Sequence, residues 1–155
     1  MIKRIVATAC LALCAAAPAQ QDARHIIMAP GAIKWGPAPA ALPAGAKSAL
    51  LYGDPAKPEL FVMRAWFPKG YRIPPHTHAR AEVVTVISGS GVLGFGKVGG
   101  GRNTHRLTTG TFMVTPPDTP HYVTFDRDTI LQLSTIGPWT LTYVNPADDP
   151  RNKAH

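Results

Sequence analysis

Short segments that are apolar, or that alternate between apolar and polar residues, recur through most of the chain. They span residues 49–52, 60–67, 82–87, 92–95, 104–107, 111–115, 121–125, 129–135 and 139–144. Clusters of turn-forming residues separate them, such as Gly53-Asp54-Pro55 and Ser88-Gly89-Ser90-Gly91. Many short strands at this spacing predict an all-β fold, an antiparallel sandwich or barrel, because no helical segment is long enough for an α/β fold.

The composition changes on both sides of this strand-rich region. Residues 20–46 are rich in Ala, Pro and Gly, and their prolines oppose a regular helix or a central strand. This segment is therefore predicted to be an arm whose apolar side chains lie against a barrel surface or a partner subunit. Residues 47–145 are predicted to form the barrel, and the polar residues 146–155 a flexible tail.

The first nineteen residues have the pattern of a cleaved secretory signal peptide. Met1 to Arg4 is positively charged, residues 5–17 are apolar, and Ala17-Pro18-Ala19 is an A-x-A cleavage site. The apolar stretch is shorter than the ~20 residues that span a bilayer, so no stable membrane anchor is expected. The protein is predicted to be exported, either to the periplasm or out of the cell. Both cysteines, Cys10 and Cys14, lie in residues 1–19, which excludes a cysteine nucleophile or a disulfide in the mature chain.

The formal net charge of +7 falls to +5 when Lys3 and Arg4 leave with the signal peptide. The basic residues are scattered, without the Lys/Arg run or aromatic-basic cluster that marks nucleic-acid binding. Nucleic acid is therefore not an expected partner. An excess of positive charge favours anionic small molecules without naming one.

Candidate metal ligands are concentrated in one short block and one later position. His76 and His78 are two residues apart, so on an extended strand their imidazoles point to the same side. Glu82 begins the β-branched run Glu-Val-Val-Thr-Val-Ile, where an unpaired buried carboxylate is costly and a bound cation removes that cost. With His121, this set of three imidazoles and one carboxylate suits Fe, Mn, Co, Ni, Cu or Zn better than Ca or Mg.

The same residues carry a resemblance to the cupin superfamily. Gly70, His76, His78, Glu82 and Gly89 match its first motif, G-x5-H-x-H-x3-E-x6-G, at every defined position. The second motif, G-x5-P-x-G-x2-H-x3-N, is matched at Gly110, Pro116 and His121, with Asp118 in place of glycine and Phe125 in place of asparagine. The resemblance implies a single small cupin barrel or jelly roll over roughly residues 47–145. It also implies His76, His78, Glu82 and His121 as metal ligands, and dimerisation as a hypothesis.

The side chains around the predicted site are harder to assign. His121, Val123 and Phe125 share one strand face, which predicts a largely apolar pocket beside the metal. Met63, Ala65 and Phe67 alternate with Val62, Arg64 and Trp66, and the pattern leaves open which set faces inward. Tyr71, Arg80, Tyr122 and Gln132 are candidates for orienting a substrate, although a rim or surface position is the more ordinary interpretation. His25, His105 and His155 are expected to be exposed and are given no role.

Three functional classes fit these observations. The first is a mononuclear metalloenzyme acting on a small molecule, and within it an oxygenase using Fe is favoured because an apolar lining suits O2 chemistry. The second is a non-catalytic cupin that binds a metal or a small ligand. The third is a structural module whose metal only stabilises the barrel. The cupins that the sequence resembles include dioxygenases, oxalate-degrading enzymes and sugar isomerases, so the family alone does not choose among reactions.

Overall fold

A computed structural model describes residues 25–152 of the protein. The predicted signal peptide, residues 1–19, lies outside the described residues. The described chain contains strands and three short 3₁₀ turns, at Pro30–Ala32, Pro146–Asp148 and Pro150–Asn152. In chain order the strands are β1 (Gly36–Pro37), β2 (Lys47–Tyr52), β3 (Leu60–Phe67), β4 (Arg72–Thr77), β5 (Glu82–Ser88), β6 (Ser90–Phe95), β7 (Thr104–Thr108), β8 (Phe112–Thr115), β9 (His121–Phe125), β10 (Thr129–Ile136) and β11 (Thr142–Tyr143).

The strands form two antiparallel sheets that enclose the core. The six-stranded sheet has the order β1-β2-β3-β10-β5-β8, and the five-stranded sheet has the order β11-β4-β9-β6-β7. All recorded pairings are antiparallel. The predicted all-β fold, an antiparallel barrel of the jelly-roll type, is therefore confirmed.

The alternating pattern of β3 places one face of this strand in the core. Met63, Ala65 and Phe67 are buried, whereas Arg64 on the opposite face bonds to Gln132 of β10 on the outer surface. The inward side chains of β10 alternate in the same way, with Leu131 and Leu133 buried. The core is filled by apolar side chains from both sheets, because each sheet turns one alternating face toward the other.

Two segments differ from the strands expected from the apolar pattern. Strand β4 contains Pro74 and Pro75 and was not among the apolar segments, although His76 was expected to lie in extended backbone. The predicted strand at 139–144 is reduced to Thr142–Tyr143. The backbone before Thr142 bonds outside the sheet ladder, since Trp139 N donates to Pro55 O.

The segment predicted as an arm contacts the barrel. Within it, β1 pairs with β2, and Ala41 and Leu42 are buried in the core. Residues 38–46 pack against the core and accept hydrogen bonds from two tyrosines of the barrel, and we call them the strap. The predicted domain boundaries remain predictions. Among the described residues, no helix has the length and apolar character needed to cross a membrane.

Candidate metal centre

Three histidines converge in the interior at one end of the barrel. His76 lies in β4, His78 follows its last residue, and His121 begins β9 directly opposite His76 in the register of the two strands. All three are buried, and one ligand nitrogen from each lies within 4.8 Å of the others. The ring centroids of His76 and His121 are 4.2 Å apart. The predicted histidine cluster is thus brought together by strand pairing.

Backbone carbonyls fix the orientation of every ring in this cluster. Each Nδ1 lies within hydrogen-bond distance of a carbonyl oxygen, and a carbonyl oxygen can only accept. Nδ1 therefore carries the proton, and in the neutral ring the lone pair of Nε2 is free to bind a metal. The pairs are His76 with Pro74 at 2.7 Å, His78 with Thr140 at 2.7 Å and His121 with Thr119 at 2.9 Å. Metal-binding histidines in proteins are commonly held in this way.

Burial keeps two of these rings neutral at physiological pH. It lowers the pKa of His76 well below its ordinary value, and charge on His121 and His78 lowers it further. Burial also lowers the pKa of His121 to about 4, against the opposing effect of the Thr119 carbonyl. A neutral imidazole is the form that binds a metal, so His76 and His121 need no deprotonation to accept one.

Glu82, the fourth predicted ligand, stands beside His78 and is not part of the group of three whose ligand atoms all lie within 4.8 Å of one another. It begins β5 in the six-stranded sheet and is buried. Its Oε2 lies 3.4 Å from Nε2 of His78. When the His78 ring is neutral and donates from Nδ1, its Nε2 and the carboxylate oxygen are two acceptor atoms facing each other. In a buried site this arrangement is costly unless a cation lies between them, which is the observation that fits a metal to these residues.

The ligands face a small apolar cavity of about 60 Å³. Its walls come from both sheets and from the strap, and among the described lining residues Thr115 is the only one that bears a hydroxyl group. A cavity needs about 10–15 Å³ of such space to hold one water molecule, so there is room for a few very small molecules beside an ion. The predicted apolar pocket is present, with Val123 in its wall, whereas Phe125 packs deeper against Phe67 at a centroid distance of 4.6 Å.

The turn before His121 keeps the backbone shape that glycine would provide. Asp118 stands at the glycine position of the second motif and has a φ of 54°, in the left-handed region that favours glycine and tolerates aspartate. Its N–H donates to the carbonyl oxygen of His78 at 2.9 Å. The turn therefore ties the segment before His121 to the first ligand block despite the change of residue.

The sequence analysis did not single out several residues that touch the ligands or the cavity. The Nε1–H of Trp139 donates to Oε1 of Glu82 at 2.6 Å, and Leu42 of the strap lines the cavity. Thr140 was missed as well, although its carbonyl orients His78. No spacing in the sequence links these positions to the motif, because their proximity depends on the fold.

The other candidates lie away from the cavity. The hydroxyl of Tyr71 donates to the carbonyl of Pro43 in the strap, and Tyr122 points to the opposite face of β9 from the ligands. Gln132 bonds to Arg64 on the outer surface, and Arg80 is exposed. His25 and His105 are exposed as expected, and His155 lies outside the described residues.

The comparison with known families agrees with this fold and cluster. The family profile described as "Cupin domain" matches residues 63–137, which contain all four predicted ligands. The protein belongs to the cupin superfamily. The cupin resemblance and the fold that it implied are therefore confirmed, while the assignment of Glu82 and the histidines as ligands remains a prediction. No curated protein matches the chain.

Solved structures with the same fold carry different names. A putative acetylacetone dioxygenase from Methylibium petroleiphilum has a TM-score of 0.62 and 21% identity, covering 84% of this chain and 88% of that one. The polyketide cyclase RemF from Streptomyces resistomycificus has a TM-score of 0.62 and 18% identity, covering 84% and 90%. An RmlC-like cupin from Shewanella frigidimarina has a TM-score of 0.56 and 19% identity, covering 73% and 91%. At these identities the likeness concerns the fold alone.

Proposed function

We propose that this cupin is a mononuclear metal-dependent enzyme that acts on a small molecule by an oxygenase-type reaction. His76, His78, His121 and Glu82 would hold a divalent transition ion, with Fe favoured over Mn, Ni, Cu or Zn. The single observation that carries the proposal is the pair of buried acceptor atoms, Nε2 of His78 and Oε2 of Glu82, at 3.4 Å. Three nitrogen donors and one oxygen donor suit these borderline ions.

The chain's own residues would prepare the site in three ways. The backbone carbonyls of Pro74, Thr140 and Thr119 hold the imidazoles in the metal-binding tautomer. The apolar walls exclude bulk water, which strengthens electrostatic interactions at the centre. The small cavity favours a ligand the size of O2 next to the ion. A metal held there would supply Lewis-acid and redox chemistry toward a bound oxygen atom.

The choice of an oxygenase is supported by the apolar lining more than by the neighbours. One structural neighbour is named a putative dioxygenase, but another is named a cyclase, and their identities with this chain are low. We also propose that the protein works outside the cytoplasm, on the strength of the signal-peptide pattern in residues 1–19.

Oxygen consumption tests the proposal directly. Protein reconstituted with Fe²⁺ without oxygen would be mixed with O2 and a panel of phenols, thiols, diketones and dicarboxylates. We expect oxygen uptake with at least one class, and its loss in His121→Ala but not in the exposed control His105→Ala. Iron-loaded protein that consumes no oxygen and alters no compound on the panel would contradict an oxygenase.

The alternative is a non-catalytic cupin that binds a metal or a small ligand. Two observations favour it: the cavity of about 60 Å³ is small for an organic substrate, and Thr115 and the engaged indole of Trp139 are the only polar groups beside the ligands in the described lining. No separate general base is therefore evident among those residues. Tight metal binding without turnover in the same assay is the outcome that this alternative predicts.

A further inference from the structure

The indole of Trp139 makes the only described side-chain hydrogen bond to Glu82. We propose that Trp139 is a positioning residue that holds Glu82 as a one-oxygen metal ligand and thereby sets the metal affinity of the site. The inference rests on the proposed metal centre and goes beyond it, because neither the motif nor the family profile assigns a role to Trp139, which lies beyond residue 137.

The geometry divides the two oxygens of Glu82 between two tasks. Oε1 accepts from Nε1–H of Trp139 at 2.6 Å, and Oε2 faces Nε2 of His78 at 3.4 Å. A hydrogen bond to an ionised carboxylate is short and stronger than a neutral one. While this bond is kept, the carboxylate cannot rotate freely, and Oε2 is the oxygen that faces His78.

Trp139 is itself held by its neighbours in the chain. Its backbone N–H donates to the carbonyl oxygen of Pro55 at 2.8 Å. The next residue, Thr140, accepts the Nδ1–H of His78 through its carbonyl oxygen and the N–H of Ala79 through its hydroxyl. Residues 139 and 140 therefore orient two predicted ligands at once, one through the indole and one through the backbone.

Loss of the indole N–H would remove the partner that holds Oε1 of Glu82. A phenylalanine at position 139 keeps an aromatic ring near His78, where the two ring centroids are now 5.8 Å apart, but it cannot donate a hydrogen bond. Oε1 of the buried carboxylate would be left without a partner, and Glu82 would be free to turn or to bind through both oxygens. Removing such an outer contact of a ligand typically weakens metal binding roughly 10–100-fold.

The experiment uses Co²⁺ as the probe, measured by competition with a chromophoric chelator and by the visible spectrum of the bound ion. We expect Trp139→Phe to weaken Co²⁺ binding roughly 10–100-fold and to change the intensity or position of the absorption bands. The matched control is Trp66→Phe. Trp66 is also half-buried but lies on the outer face of β3, and the centre of its ring is 5.3 Å from Nζ of Lys47.

A double-mutant comparison separates positioning from packing. If Trp139 acts through Glu82, then adding Trp139→Phe to Glu82→Gln should change the affinity far less than it does in the wild-type protein. Equal weakening in both backgrounds would overturn the inference, because it would show an effect independent of the carboxylate. Wild-type affinity and an unchanged spectrum in Trp139→Phe would overturn it as well.

Fluorescence provides a measurement that needs no change at position 139. In a protein carrying Trp35→Phe and Trp66→Phe, Trp139 is the remaining tryptophan, and its emission should be quenched by one equivalent of Co²⁺. Emission that is indifferent to bound Co²⁺ would overturn the placement of the indole at the centre. Wild-type protein that binds no Co²⁺ at all would instead refute the proposed metal centre itself.

Discussion

At the scale of single residues, the site is defined by which atoms are left without a hydrogen-bond partner. Each histidine satisfies its Nδ1–H on a backbone carbonyl and turns its other nitrogen inward. An exposed histidine such as His105 has no comparable carbonyl and no comparable burial. Three oriented nitrogens in one volume are a much stronger indication of a metal site than the presence of histidines in a sequence.

Replacing one of these histidines is the simplest test of that reasoning. We expect His121→Ala to retain less than about a tenth of the wild-type metal content, because the loss of one of four donors removes several kcal/mol of binding. Elemental analysis of protein purified under identical conditions measures this directly. The control His105→Ala should keep the full content, and an unaltered content in His121→Ala would refute the ligand assignment.

The pH dependence of the metal-free protein follows from the lowered pKa values. The unfolded His121 titrates near 6.5 and the folded one near 4, so below pH 6.5 the unfolded state binds more protons. The free energy of unfolding should therefore fall as the pH drops from 6.5 toward 4, by up to about 3 kcal/mol from His121 alone. Urea denaturation at several pH values measures it.

The His121→Phe variant provides the control for this pH effect. Since it lacks the titrating group, its stability should fall less steeply over the same range, although His76 still contributes in the same direction. A metal-free wild-type protein whose stability does not change between pH 7 and pH 4 would contradict the burial of neutral imidazoles.

At the scale of elements, the strap packs against the barrel and contributes to the wall of the cavity that the predicted ligands face. Two tyrosine hydroxyls fasten it by donating to its backbone carbonyls, Tyr143 to Ala41 at 2.8 Å and Tyr71 to Pro43. Burial raises the pKa of Tyr143 to about 12, so this hydroxyl stays a donor over the physiological range. The side chain of Leu42 lies between the two attachment points and lines the cavity.

Loosening the strap should expose the centre. We expect Tyr143→Phe to cost about 1 kcal/mol of stability, since it leaves the Ala41 carbonyl without its partner. The same change should speed the removal of bound metal by a chelator several-fold, which stopped-flow absorbance measures. The control Tyr52→Phe alters an exposed tyrosine of β2 and should leave the removal rate unchanged. Equal rates in all three proteins would mean that the strap does not limit access.

The sequence predicted most strands because their apolar residues recur with the period of a pleated sheet. The apolar pattern did not predict β4. Pro74 and Pro75 interrupt the alternation in this strand, and one of its inward residues is a histidine. The pattern overextended the strand at 139–144, because Trp139 and Leu141 look like strand residues. This segment instead forms a turn in which the Thr140 carbonyl orients His78 and the indole of Trp139 donates to Glu82.

The site was predictable only where its residues are close in sequence. The spacing of His76, His78 and Glu82 carries the motif, and His121 is found by a second motif. Trp139 is 57 residues from Glu82, and its contact arises only when the chain folds. The sequence also did not decide which face of β3 points inward, because both faces of this strand contain large apolar side chains.

At the scale of the whole molecule, the predicted ligands come from both sheets. His76 and His121 belong to the five-stranded sheet, and Glu82 opens β5 in the six-stranded sheet. An ion bound to all of them would join the two sheets in addition to the apolar core. A ligand that binds the folded state and not the unfolded state stabilises a protein by mass action.

Removal of metal should therefore lower the melting temperature. We expect a decrease of roughly 5 °C or more when a chelator strips the loaded protein, with the fold retained because the core is complete without an ion. Differential scanning calorimetry measures the decrease, and far-ultraviolet circular dichroism checks the retained fold. Complete unfolding at room temperature after chelation would favour a purely structural metal, the third functional class considered from the sequence.

The split of the ligands between the sheets also has a mechanical consequence. Any substitution that slides one sheet by a fraction of an ångström against the other changes the distance from Glu82 to the imidazoles, even when it lies on the outer surface. Reactivity could therefore be tuned by remote packing changes that leave every donor in place. Laboratory evolution of this barrel should therefore yield some beneficial substitutions far from the centre.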